Sequence, residues 1–145
     1  MMVSQCPECG ALWGDGRTCR DHFDQMLAWE FEDPGGAGAA HHLTVLCYHL
    51  QHPSLYSPEG LEYGKRLLAE FVDGGVSPEA VRRRNRDHVN SINHKFKIKG
   101  TPDSHGSYDH TIAWTMTAAD VTTDGLNDYC ERVRAWAWSV YAALK

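Results

Sequence analysis

Residues 41–53 read His41-His42-Leu43-Thr44-Val45-Leu46-Cys47-Tyr48-His49-Leu50-Gln51-His52-Pro53. Four of the nine histidines of the chain fall in this stretch, among Leu43, Val45, Leu46, Tyr48 and Leu50, which ask for burial. At helical spacing His42, Leu46 and His49 share one face, and His41, Val45, Tyr48 and His52 follow a neighbouring track. Pro53 removes a backbone donor and stops the helix. The stretch is therefore a helix in which histidine and core are mixed, and the rest of the chain is read outward from it.

Upstream, Cys19, Phe23, Met26, Leu27, Glu30 and Phe31 recur at helical spacing, so Cys19 opens a first helix that ends before Asp33-Pro34-Gly35-Gly36. A small-residue loop returns the chain to His41. Downstream, Ser57-Pro58-Glu59 is a helix start, with serine as N-cap and proline at the first helical position. Gly74-Gly75 closes that helix. Ser77-Pro78-Glu79 repeats the signal for a basic helix with a thin stripe of Val81, Asn85, Val89 and Ile92. Phe96 to Ile98 alternates like a strand that can pair with Thr111 to Met116 as a short ribbon, across an exposed loop from Thr101 to Asp109. Thr117-Ala118-Ala119-Asp120 matches the Ser/Thr-x-x-acid start of a helical turn. From Leu126, residues Tyr129, Cys130, Val133, Trp136, Ala137, Val140, Tyr141 and Leu144 keep spacings of three and four; Trp138 falls off that stripe, toward a contact surface. The fold class is mainly α: about five helices in one bundle-like domain, residues 1–145, with a metal-binding knuckle in residues 1–20 and a helical body in residues 21–145.

A chain of 145 residues with 42% apolar and 23% charged side chains is long enough for one real core. No apolar run approaches the roughly 18 residues of a membrane span, and no secretion signal precedes Cys6. The expected location is the cytoplasm, with no membrane partner. Net charge is -5, but it is segregated: residues 82–99 hold seven basic side chains and one acidic, while residues 1–81 hold four basic and twelve acidic. Such a block can meet phosphates, with Phe96 available to stack, yet it reads more simply as a solvated helix face. The acidic remainder argues against nucleic acid and leaves a protein or small molecule as partner, with a homo-oligomer open.

The chemistry concentrates in Cys6-Pro7-Glu8-Cys9-Gly10 and Cys19. Five cysteines are an odd number, and two at C-x-x-C spacing point to metal in a reducing compartment before a disulfide framework. Zinc takes four tetrahedral ligands, and thiolates this close repel or oxidise unless a cation holds them. Three ligands are thus given. The fourth has two candidates: His22, one turn after Cys19, which spacing favours, or His41 from the next helix. His49 and His52 lie one turn apart and His42 two turns from His49, so a second site completed by a carboxylate such as Glu30 is geometrically open, although a helical histidine beside leucine and tyrosine is more often a core residue. Cys47 and Cys130 fall among apolar residues, where a thiol behaves as a small hydrophobe. His105 and His110 serve equally as loop residues. No H-E-x-x-H, serine elbow or phosphate-binding glycine loop occurs in the chain.

Cys6-Pro-Glu-Cys9-Gly, Cys19, Trp29-Glu30-Phe31, His41-x-Leu-Thr-Val, Tyr48-x-Leu-Gln51-His52-Pro53, Trp114-Thr-Met-x-x-x-Asp120-Val and Val133-x-x-Trp136-Ala137 together resemble an uncharacterised bacterial family of small proteins classed as a domain of unknown function. The likeness runs nearly the whole length, and its Gln-His-Pro block is more distinctive than its C-x-x-C. The resemblance implies that His41 and the Gln51-His52-Pro53 corner belong to the common pattern, whereas His22, His42 and His49 do not obviously match. It moves the expected fourth ligand to His41 and brings no activity. Two readings of function follow: a binding or interaction protein stabilised by a closed zinc site at Cys6, Cys9, Cys19 and His41, or a hydrolase-like, metal-dependent enzyme with an open site near Glu30, His41, His49 and His52.

Overall fold

A computed structural model of the chain describes residues 4–13, 17–74, 100–123 and 125–144. The N-terminal segment folds on itself as an antiparallel ribbon, β1 (Ser4–Gln5) against β2 (Leu12–Trp13), with Gln5 opposite Leu12. Helix α1 (Cys19–Glu32) starts on a capping box not recognised in the sequence: Thr18 Oγ1 accepts from the Asp21 amide at 3.2 Å and Asp21 accepts from the Thr18 amide at 2.9 Å, which satisfies two helix-end donors. Its buried residues are Cys19, Phe23, Met26 and Glu30, at intervals of four, three and four. Phe31, assigned to that stripe from its spacing, is 86% exposed, because one residue past Glu30 turns the side chain by about 100°. A carboxylate therefore occupies the inner position and a phenyl ring the outer one.

The α1 helix ends at Asp33, whose carboxylate accepts from the amides of Gly36 and Ala37. A 3-10 turn (Ala37–Ala40) then leads into α2 (His41–Gln51). Gly38 is required there: a Cβ would lie 2.9 Å from the Glu30 carbonyl oxygen. The α2 helix buries Leu43, Thr44, Leu46, Cys47, Tyr48, Leu50 and Gln51, too many for one narrow stripe, because it packs on α1 and on two of the three helices that follow. A second 3-10 turn (Pro53–Leu55) precedes α3 (Pro58–Gly74), where Ser57 Oγ accepts from the Gly60 amide at 2.9 Å, the expected N-cap. Helix α4 (Ala118–Val121) carries the Thr117–Asp120 capping box, and α5 (Tyr129–Leu144) buries Tyr129, Val133, Trp136, Ala137 and Val140. Leu126, expected at the head of that stripe, sits in the turn before it and is exposed, as is Trp138.

The architecture is thus mainly α, with α2 at its centre and Met26, Leu43, Leu50, Leu68, Val121, Val133 and Trp136 fully buried around it. The basic helix after Pro78 and the strand expected at residues 96–98 lie outside the described residues. Thr111–Met116 forms no strand; its backbone is taken instead by α2, through Gln51 Nε2 donating to the Met116 carbonyl at 2.6 Å. The only ribbon among the described residues closes the cysteine loop. Within the same residues no helix is long and apolar enough to cross a membrane.

Candidate metal centre

The ribbon β1–β2 holds Cys6 and Cys9 in a tight knuckle. The Cys6 amide donates to the Ala11 carbonyl at 2.9 Å, the Gly10 amide donates to the Cys6 carbonyl at 3.0 Å, and the Cys9 amide donates to Cys6 Sγ at 3.4 Å. Gly10 has φ +78°, the left-handed region open to glycine at no steric penalty. Cys19, at the first position of α1, reaches the knuckle with its sulfur 3.4 Å from Cys9 Sγ. The fourth corner is His52, the residue that ends α2, with Nε2 3.5 Å from Cys6 Sγ. All four donor atoms lie within 4.8 Å of one another. A tetrahedral ion with bonds of about 2.3 Å to sulfur and 2.0–2.1 Å to nitrogen implies donor separations of roughly 3.5–3.8 Å, so this group can hold a metal ion.

The surroundings prepare the same four atoms. Cys19 is 3% exposed and Cys6, Cys9 and His52 6% each, which leaves a bound ion closed off from bulk water. His52 Nδ1 donates to the Tyr48 carbonyl at 2.6 Å. That bond orients the ring with Nε2 toward the sulfurs. Tyr48 lies 4.3 Å from the His52 ring, and Phe23 stacks on Tyr48 at 4.0 Å. Trp13 Nε1 donates to Cys19 Sγ at 3.3 Å. The hydrogen bond from the Cys9 thiol holds the Cys19 thiol well below the ordinary thiol range, against the opposing pull of burial, with His52 and Trp13 adding to the lowering. The same bond, with burial second, raises Cys9. A cation among the sulfurs would relieve their mutual repulsion and favour the thiolates. Glu8, between the two knuckle cysteines, accepts from the Ser54 hydroxyl at 2.7 Å and the Ser54 amide at 3.1 Å, tying the loop to the turn that follows His52.

The structure brings Cys6, Cys9 and Cys19 together and sets His52, not His41, beside them. His41 and His52 stand eleven residues apart at the two ends of α2, about 16 Å along its axis, so both cannot meet one site. His41 Nδ1 is instead 2.8 Å from Glu30 Oε1. His22, the local candidate, has Nδ1 2.7 Å from Thr122 Oγ1, bridging α1 to α4; burial pulls its imidazole below the ordinary range. His49 has Nδ1 2.8 Å from the Val45 carbonyl, and burial lowers it likewise. Of Glu30, His41, His49 and His52, the first two are in contact; among the described residues the three-cysteine, one-histidine group is the one cluster of three or more possible ligands. Cys47 is fully buried, as expected, and Cys130 is half-buried with its thiol facing the Gly36 carbonyl. The sequence held a signal for His52 in the Gln-His-Pro corner: Pro53 stops the helix there, and His52 at the corner faces the N-terminal cysteines.

The profile of a family of unknown function, DUF5946, matches residues 4–145. No curated protein matches the chain, and no solved structure does.

Proposed function

The chain belongs to DUF5946, a family of unknown function, and from its own geometry we propose that it is a zinc protein in which the metal is structural, held by Cys6, Cys9, Cys19 and His52. The carrying observation is the closed, buried set of three sulfurs and one oriented imidazole nitrogen. Three thiolates and an imidazole suit zinc over calcium or magnesium, which take oxygen. With all four positions supplied by protein, the ion has no place for an activated water, so its work is to join the N-terminal knuckle to the start of α1 and the end of α2. Residues 1–145 act as one folding unit with the knuckle as its metal-bearing edge. The five free thiols suit a reducing compartment such as the cytoplasm. The biochemical role is that of a binding or interaction protein, its partner a protein or a small molecule.

Elemental analysis and X-ray absorption on protein purified without added metal test this reading. The expected result is one zinc per chain with three sulfur neighbours and one nitrogen. A first shell with an oxygen from water, or with two sulfurs only, points instead to an open site and to the enzyme reading.

A further inference from the structure

A cavity of about 610 Å³ opens between the end of α1 and the start of α2, lined by Leu27, Glu30, Phe31, Pro34, Gly38 and His41. Its volume is that of a small-molecule site. Three of its walls are apolar side chains, and its polar group is a pair. Glu30 is buried, with its side chain 3% exposed, while the His41 side chain is 41% exposed. Both Glu30 oxygens are taken: Oε1 faces His41 Nδ1 at 2.8 Å, and Oε2 accepts from the Thr44 hydroxyl at 2.7 Å and from the Tyr129 hydroxyl. Burial, and then the bond to Glu30, hold the Tyr129 phenol above its ordinary range, so it remains a donor.

We infer that this cavity binds a small, neutral, mostly apolar molecule bearing one weakly acidic hydroxyl, of the phenol class, and that His41 Nε2 accepts its proton. A carboxylate only accepts, so His41 Nδ1 donates to it, and in the neutral ring the lone pair is on Nε2. Among the described residues Nε2 has no partner, and His41 lines the cavity with its side chain 41% exposed. A ligand cation is poorly served by Glu30, which is 3% exposed and already accepts from three donors. A ligand carboxylate would meet a lone pair and a buried acid. A hydroxyl meets a lone pair it can donate to, with Leu27, Phe31 and Pro34 covering its apolar body. As the O–H bond weakens, the proton passes to Nε2, leaving an oxyanion beside an imidazolium that Glu30 steadies from behind, the arrangement by which a buried carboxylate orients a histidine base. The site is independent of the proposed zinc centre, which lies at the opposite end of α2.

The test is titration of the full-length, metal-loaded protein with 4-nitrophenol, whose anion absorbs visible light, and with 4-nitroanisole, the same body without the hydroxyl. Saturable 1:1 binding is expected, with a gain in phenolate absorbance at a pH where the free dye is protonated. Binding of the anisole should be roughly tenfold weaker, the worth of one lost buried hydrogen bond. His41→Gln can still donate to Glu30 but offers no ring lone pair; it should abolish the absorbance gain while zinc content and thermal midpoint stay as in the unmodified protein. Phe31→Ala, at a residue 86% exposed, should weaken binding without altering the fold. Absence of saturable binding at millimolar phenol, equal affinity for phenol and anisole, or an absorbance gain that survives His41→Gln overturns the assignment.

Discussion

Gln51 and His52 are neighbours at the end of α2, and they do unlike work. Gln51, fully buried, donates to the Met116 carbonyl and accepts from Trp136 Nε1 at 3.2 Å, so it serves the core. His52, a residue further on, has left the helical ladder and swings toward the cysteines. His41→Ala and His22→Ala should therefore leave zinc affinity near that of the unmodified protein, whereas His52→Ala should lower it by two or more orders of magnitude and lower the thermal midpoint with it, because metal-binding free energy is folding free energy in such sites. Competition with a chromogenic chelator, run on all three variants, checks the ranking. Loss of zinc in His41→Ala with retention in His52→Ala would reverse the ligand assignment. The sequence pointed to the cysteines, since C-x-x-C spacing is local and Cys19 opens the helix that follows. It did not carry the histidine, because nine candidates differ only in where the fold delivers them.

At the level of elements, the metal corner leans on a backbone contact distant in sequence. The Gly100 amide donates to the Leu55 carbonyl at 2.9 Å and the Gly106 amide to the Tyr56 carbonyl at 2.8 Å, so residues 100–106 lie against the 3-10 turn that follows His52. A Cβ on Gly100 would come within 2.4 Å of the Ser54 carbonyl oxygen and 2.6 Å of that of Tyr56, and backbone cannot step aside as a side-chain tip can. Gly100→Ala should destabilise by about 2 kcal/mol and, by shifting Ser54 away from Glu8, loosen the knuckle. Urea unfolding supplies the first quantity, and the amide resonances of residues 6–10 report the second. A variant of unchanged stability would show that the 100–106 segment packs less closely than this contact requires. Helix starts were legible here because caps are local chemistry: Ser57 and Thr117 behave as their side chains dictate. The ribbon sought at Thr111–Met116 was misjudged because alternation over a few residues says nothing about whether a side chain such as Gln51 claims the backbone first.

For the molecule as a whole, the cysteine cluster brings together three pieces: the ribbon β1–β2, the first turn of α1 and the corner after α2. The helical core around Trp136 and Leu50 does not need the metal to be apolar or close-packed, so chelation should release the edge before the centre. Treatment with a strong chelator under reducing conditions should lower the thermal midpoint by about 10 °C, a loss of several kcal/mol for a chain of this size. Hydrogen exchange should quicken in residues 4–13 and 48–56 well before the buried face of α5 changes. Equal acceleration throughout would mean that the metal holds the entire fold and not its edge. What the sequence by itself determined was the helical class, the helix starts at Ser57 and Thr117, the Val133–Trp136–Val140 stripe and the three cysteines proposed as ligands. All of these follow from local spacing and local hydrogen bonds. What only the tertiary structure decided was which histidine lies beside the cysteines, that Glu30 and not Phe31 faces inward, and that Glu30 and His41 meet at a cavity. Each depends on how α1 and α2 are set against each other, and a turn of about 100° per residue makes inner and outer positions adjacent in the chain.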